Sequence, residues 1–276
     1  MKSLGRGSMI FVVWLALGLP LLAQFTAQEL AERPKWEEYL LSAGVVNEEQ
    51  LGLDDRQAVT HPWRLTLEQA GIMRNALWKN PEGRMKGYLE GWKYEIAAYQ
   101  LDKFLGLDMV PPTIEKRVHN SRGSCQLWVE AKMTMKDKVE KKIAVPPRYV
   151  FNYNRAMNLQ RAFDSLIGNE DRHQNNYLIT EDWRVLLIDH SRSFRTTKKW
   201  TTELPYTEKN KEGLILKTMP KALLEKMKAL DHEVIKGLVG DNLTEDEIKA
   251  VLARRDLIVQ YIDKLVKQGG EENVLY

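Results

Sequence analysis

The chain has one cysteine among its 276 residues, Cys125, so no internal disulfide can close and the fold must hold by packing alone. Cys125 lies in the apolar run CQLWV and reads as a small buried hydrophobe, not a reactive thiol. An excess of charge of one sign is also missing: 41 basic and 38 acidic residues leave a formal +3. That balance lacks the concentrated basic footprint of a nucleic-acid binder, and that class is set aside. No internal repeat or low-complexity tract follows the N-terminal segment. With 43% apolar and 29% charged residues, the chain can bury one sizeable core or two coupled lobes.

Long hydrophobic runs are scarce, and the one present is terminal. Residues 9–23, MIFVVWLALGLPLLA, follow Lys2 and Arg6 and contain Pro20 near their end. The run is shorter than the roughly 20 apolar residues that span a bilayer comfortably. Its shape is that of a secretory signal, residues 1–27, with Ala23 and Ala27 as cleavage points. An exported chain is expected, in a periplasm, an extracellular space or a secretory lumen. Membrane contact would come only through an uncleaved N-terminal segment. Residues 28–58 read as an amphipathic lead-in without assignable chemistry.

From Trp63, WRLTLE alternates apolar and polar residues, Gly71 supplies a turn, and NALWK returns as a second strand that ends at Lys79. The Gly-punctuated NPEGRMKGYLEG leads into WKYEIAAYQLDKFLGL. There Trp92, Ile96, Tyr99 and Phe104 mark a helical face, Glu95 falls in the first turns, and Gly106 can end the helix. VPPTIEKRV and SCQLWVEAK are strand candidates, and the Lys-rich residues 132–142 read as a solvated linker. RAMNLQRAFDSLI keeps helical spacing until Gly168. YLIT and RVLLID are short strands joined by EDW. Two or three helices follow Pro205, the last announced by a capping box, Thr244 with Glu247. Strands first and helices after make an α+β arrangement of two lobes.

The segment GNEDRHQNN sits between a predicted helix and a predicted strand, where a loop held at both ends aims side chains well. The hairpin that follows is expected to fold Asp189 back beside Asn176. One amide oxygen and one carboxylate suit Mg²⁺, which binds through few carboxylates plus substrate phosphates. Asp171, ahead of that pair, is placed to accept a hydrogen bond from an incoming hydroxyl. Lys79 can supply positive charge to phosphates if Glu95 holds it. Asp164, seven residues before Asp171, reads as a structural brace for the loop.

This ordered set resembles the protein-kinase-like superfamily, and more closely its atypical members. Those are the bacterial phosphatidylinositol 3-/4-kinase-like domains, the HipA-type kinases and the secretory-pathway kinases related to Golgi casein kinase. The resemblance runs over residues 59–276 and rests on HPWRLTL, ALWK, EIAAYQLDKFLGLDMVPPT, FDSLIGNEDRHQNNYLI, LLIDHSRSF and ARRDLIVQYIDKL. It implies a bilobal kinase-like fold, with a small sheet-rich N-lobe over about 59–135 and a mainly helical C-lobe over about 145–276. By carry-over, Lys79 looks like the nucleotide lysine, Glu95 its helix partner, Asp171 the catalytic acid, and Asn176 and Asp189 the ligands of Mg²⁺ or Mn²⁺. ATP and an unknown hydroxyl-bearing acceptor are the implied substrates.

The chain departs from ordinary protein kinases in two places. No G-x-G-x-x-G precedes Lys79, so the phosphate-covering loop of ordinary protein kinases is absent or replaced, with residues 83–91 the candidate replacement. His190 follows Asp189, and the stretch from Phe194 to Pro205 is short for an activation loop. Two other readings stay open at this level. One is a secreted kinase-fold protein that binds a nucleotide or partner without turnover. The other is a metal-dependent hydrolase using His173, His190 and two carboxylates.

Overall fold

The computed structural model describes residues 24–53 and 60–276. The apolar run of the expected signal, residues 9–23, lies outside the described residues. Two lobes are built as the strand and helix patterns predict, with a five-stranded antiparallel sheet in the first half and most helices in the second.

The N-lobe begins earlier than the motif-bearing pattern does. Helix α1 (Ala27–Ser42) is opened by a capping box between Thr26 and Glu29, and strand β1 (Gly44–Gln50) follows it. Neither shows in the sequence as more than a lead-in, because their partners are distant in the chain. The Lys116 ammonium closes the C-terminal end of α1, donating to the carbonyls of Leu40 (2.8 Å), Leu41 (3.2 Å) and Ala43 (2.8 Å). It does there what a C-terminal glycine or cation ordinarily does for orphan carbonyls. Arg33 of α1 donates to Asp108 at 2.5 Å, and the Tyr39 hydroxyl donates to the Leu67 carbonyl at 2.7 Å.

Strands β2 (Trp63–Gln69) and β3 (Ile72–Lys79) form the predicted hairpin, pairing Trp63 with Trp78 and Gln69 with Ile72. Its two-residue turn needs positive φ at both central positions, which Ala70 (φ 52°) and Gly71 (φ 78°) adopt. A small hairpin of β4 (Glu82–Met85) and β5 (Tyr88–Gly91) comes next, in the Gly-punctuated segment. Helix α2 (Trp92–Leu105) ends at Gly106 as expected, in the left-handed conformation. Strands β6 (Thr113–Val118) and β7 (Ser121–Leu127) complete the sheet, whose order is β1-β2-β3-β7-β6. The candidate strand SCQLWVEAK therefore stops at Leu127, and the residues after it connect the lobes. Cys125 is fully buried beside Leu65, Leu67 and Trp78. Trp78 and Trp92 are core residues, whereas Trp63 and Trp128 are only partly covered.

The Lys-rich stretch is structured, contrary to its reading as a linker. It holds strand β8 (Met133–Thr134) and helix α3 (Met135–Glu140), because Thr134 and Asp137 form a capping box that outweighs the polar composition. Helix α4 (Pro147–Ile167) starts with proline at its first position and ends at Gly168, φ 60°. A Cβ at Gly168 would lie 2.8 Å from the Arg254 guanidinium carbon, so both backbone and space require glycine here. Strands β9 (Tyr177–Ile179) and β10 (Val185–Leu187) pair in register and join β8 in a three-stranded sheet.

The C-terminal helices are α5 (Lys198–Thr202), α6 (Lys221–Lys228), α7 (His232–Val239), α8 (Glu245–Gly269) and the short α9 (Glu271–Val274). The capping box of Thr244 and Glu247 opens α8 as predicted. Helix α2 does more than cover the sheet. Ala97, Tyr99, Leu101 and Leu105 share a core with Leu159, Phe163, Ile235 and Ile258 of the C-lobe helices, and α2 packs on α7. Glu95 is thereby fixed in position relative to both lobes.

Candidate active site

Lys79 is the last residue of β3, and its side chain shares a face with Leu77, two residues earlier. It points between the lobes, where its ammonium ion-pairs with Glu95 of α2 and lies 2.7 Å from Asp189 Oδ1. Burial lowers the pKa of Lys79, but the charges of Asp189 and Glu95 outweigh it and hold the amine well above its ordinary value. The two carboxylates respond in the opposite sense. Burial raises each, yet the Lys79 charge prevails and both lie below the usual carboxylate range. Glu95 also accepts the His190 backbone N–H on both oxygens, at 3.0 Å each. One helical carboxylate thus grips the strand lysine and the chain just past Asp189.

Asp189 sits at φ 60°, the left-handed region that costs a non-glycine residue of order 1 kcal/mol or more. Its neighbours hold it there. The Ile188 N–H donates to the Asn176 carbonyl at 3.2 Å, and the Ser191 hydroxyl donates to Asp189 Oδ1 at 3.0 Å. Among the described residues Asp189 Oδ2 accepts no hydrogen bond, and the side chain is 38% exposed.

The loop after α4 is held from beneath by a buried arginine. Arg172 is buried beneath it and forks onto Asp164, Nε to Oδ2 at 2.9 Å and Nη2 to Oδ1 at 3.0 Å. Its remaining nitrogen, Nη1, donates to the carbonyls of Asn176 and Ile188 at 2.8 Å each. Arg172 therefore staples the loop to the strand that delivers Asp189, and Asp164 is the brace that its sequence position implied. Arg172→Met would leave the fully buried Asp164 carboxylate without its cation. The expected cost is about 3–5 kcal/mol, read as a lower melting temperature with loss of the cooperative transition's order on the loop side.

Asn176 is buried, and its amide nitrogen donates to the Asp171 carbonyl at 3.0 Å, which leaves the amide oxygen for a cation. Asp171 receives its shape from Asn169, whose Oδ1 accepts the Asp171 N–H at 2.9 Å. Its carboxylate lies 3.1 Å from Arg192 Nη1 and 4.0 Å from His173 Nε2. Burial raises the Asp171 pKa, and the opposing Arg192 and His173 charges do not fully offset this. The structure thus brings Lys79, Glu95 and Asp189 into direct contact, and joins Asn176 to Asp171 and, through the backbone, to the strand end at Ile188. His173 caps the short 3-10 turn of residues 174–176, accepting the Asn175 N–H. His190 is buried with its ring edge-on to Phe163. The two imidazoles do not share a site, and among the described residues no group of three or more His, Cys, Asp and Glu is placed to hold a metal ion.

Three parts of the site escape the sequence. A cavity of about 340 Å³ opens between β3, the connection after β7 and the β9–β10 hairpin, lined by Leu77, Gln126, Trp128, Met133, Leu178 and Ile188 among others. Arg192, paired with Glu90 at 2.6 Å, lies against the Asp171 carboxylate. The only signal for Arg192 was its place three residues after Asp189; Glu90 had none. A larger cavity, about 710 Å³, lies against α5 and α8 and touches none of these residues.

No family model matches the sequence, and no curated protein matches it. Solved structures do match the fold. A Fam20 protein from hydra, solved with sugar, superposes with a TM-score of 0.63 at 15% identity, covering 93% of this chain and 95% of the other. A Golgi casein kinase with Mn and ADP bound superposes with a TM-score of 0.58 at 13% identity, covering 92% and 80%. The Helicobacter pylori proinflammatory kinase CtkA gives 0.52 at 12% identity, covering 84% and 97%. With that agreement over most of its length, the chain has the kinase-like α+β fold that these structures share.

Proposed function

We propose that the chain is an exported phosphotransferase that moves the γ-phosphoryl group of ATP to a hydroxyl acceptor with the help of Mg²⁺ or Mn²⁺. The observation that carries this reading is the contact of Lys79 with both Glu95 and Asp189 between the lobes. A lysine this buried, gripped by one helical and one strand-end carboxylate, is the arrangement that phosphoryl transfer by this fold requires. The cavity between Leu77 and Ile188 lies one or two residues from Lys79 and Asp189 and is of a size and apolar lining that suit a nucleobase.

The donor set fits a hard divalent cation, offering the Asn176 amide oxygen and the free carboxylate oxygen of Asp189, with phosphates and water completing the shell. Such an ion, when bound, neutralises charge on the phosphates. The chain's own residues do the rest. Lys79 holds the phosphates near Asp189, and Asp171 orients the acceptor hydroxyl and takes its proton. A pKa raised by burial favours that acceptance. The backbone clamp of Arg172 keeps Asp171, Asn176 and Asp189 in a fixed relation, so that positioning and charge stabilisation supply most of the rate.

Melting of the mature chain with ATP, in the presence and absence of Mg²⁺, followed by transfer of labelled ATP to extracts of exported proteins and lipids, tests this reading. A metal-dependent rise in melting temperature and label in one acceptor fraction are expected. Binding without transfer would favour a non-catalytic module, and no binding would sink the proposal. Of the two cleavage points, the residues next to the apolar run favour the one after Ala23. Gln24 donates to the Leu107 carbonyl at 3.0 Å and accepts from Arg184 at 2.8 Å, Phe25 is buried, and Thr26 caps α1. Cleavage after Ala23 keeps these contacts, so mass spectrometry of the secreted chain is expected to read a start at Gln24; a start at Gln28 would contradict it.

A further inference from the structure

We propose that Arg192 contacts the phosphoryl group in flight and that Glu90 aims it there, an assignment that rests on the phosphotransferase reading above. Three buried or partly buried cations approach the acidic cluster. Lys79 commits two of its three N–H donors to Glu95 and Asp189 and keeps the third for the phosphates, and every nitrogen of Arg172 is bonded beneath the loop to Asp164 or to one of two carbonyls. Arg192 has a nitrogen left over. Its Nε donates to Glu90 at 2.6 Å and its Nη1 lies 3.1 Å from Asp171, while Nη2 makes no hydrogen bond among the described residues.

The Tyr88 ring covers one face of the guanidinium at 4.0 Å. The backbone that carries it is fixed, because the Arg192 carbonyl accepts the Glu170 N–H at 3.2 Å and the Ser191 carbonyl accepts the Gly91 N–H at 2.9 Å. Glu90 is only 3% exposed, and among the described residues its Oε2 has no hydrogen-bond partner. A carboxylate so buried is costly unless it serves a cation, and the cation it touches is Arg192. Tyr88 and Glu90 both belong to β5, in the hairpin that follows Lys79 in the chain. The hairpin therefore delivers a pre-aimed arginine to the catalytic carboxylate instead of backbone amides.

A planar fork with a free edge, fixed beside the residue that receives the acceptor's proton, matches the equatorial oxygens of a transferring phosphoryl group. In the step itself the acceptor oxygen forms a bond to phosphorus, the bond from phosphorus to the leaving diphosphate oxygen breaks, and the hydroxyl proton passes to Asp171. Arg192 makes and breaks no covalent bond. It shares its charge between Asp171 and the phosphoryl oxygens, and a cis-acting arginine of this kind is worth about 10³–10⁵ in rate.

Mg²⁺ with ADP, alone and with aluminium fluoride as a mimic of the planar phosphoryl group, distinguishes the roles by affinity without needing the acceptor. The fluoride is expected to tighten ADP binding by the wild-type chain. Arg192→Gln is expected to keep Mg²⁺–ADP affinity within about 3-fold and to lose the fluoride enhancement by about 10²-fold or more. Arg192→Lys, which keeps charge without the fork, is expected to recover little of it. Glu90→Gln should lose part of the enhancement, and the double substitution should be no worse than Arg192→Gln, as for residues acting through one another. Full enhancement in Arg192→Gln, or additive losses in the double variant, overturns the assignment while leaving the phosphotransferase reading intact. A wild-type chain that ignores Mg²⁺–ADP overturns both.

Discussion

Asp171→Asn is expected to bind Mg²⁺–ATP as the wild-type chain does and to transfer phosphate at least about 100-fold more slowly. The two effects separate because of where Asp171 sits. Its carboxylate touches Arg192 and approaches His173, but not Lys79, whose ammonium is engaged by Glu95 and Asp189. The loop does not need that carboxylate for its shape. Asn169 receives the Asp171 N–H, Asn176 donates to its carbonyl, and Arg172 ties the loop end at Asn176 to Ile188. An asparagine is close to isosteric and keeps those backbone bonds, so what it removes is proton acceptance and the ion pair with Arg192. Single-turnover transfer alongside a nucleotide titration measures both quantities, and transfer at the wild-type rate would remove Asp171 from the chemistry.

The second large effect is expected at Asp189. Asp189→Ala should abolish the metal dependence of nucleotide binding, because it deletes the one carboxylate among the proposed ligands. It also takes one of two anions from Lys79, which stays paired with Glu95 and remains buried. Asp189→Asn controls for the backbone, since asparagine tolerates the left-handed conformation that Asp189 adopts. Both variants should unfold cooperatively, and isothermal titration with and without Mg²⁺ should give the same weak nucleotide affinity. A persisting metal effect in both would mean that the ion is held elsewhere.

Much of this was legible where local chemistry decides the structure. The β2–β3 hairpin, and hence the strand-end position of Lys79, follows from alternation and from the Ala70–Gly71 turn. Gly106 and Gly168 end their helices because each is left-handed, and Thr244 with Glu247 opens α8. The spacing of Asp171, Asn176 and Asp189 placed them around one loop and hairpin. What escaped depends on partners far apart in the chain. Helix α1 is closed by Lys116, more than seventy residues on, so its own sequence carries no stop signal. Residues 132–142 look solvated by composition, and the Thr134–Asp137 box overrides that. The Glu90–Arg192 pair joins a hairpin to the segment after Asp189 across roughly a hundred residues, a contact that no periodicity encodes.

Diffraction from crystals grown with Mn²⁺ and a non-hydrolysable ATP analogue gives the sharpest single reading. The anomalous peak of manganese is expected between the Asp189 carboxylate and the Asn176 amide oxygen, with the base in the cavity beside Leu77 and Ile188 and the phosphates within reach of Lys79. A nucleotide bound in any other cavity, or manganese coordinated without Asp189, would contradict the assignment of this cleft.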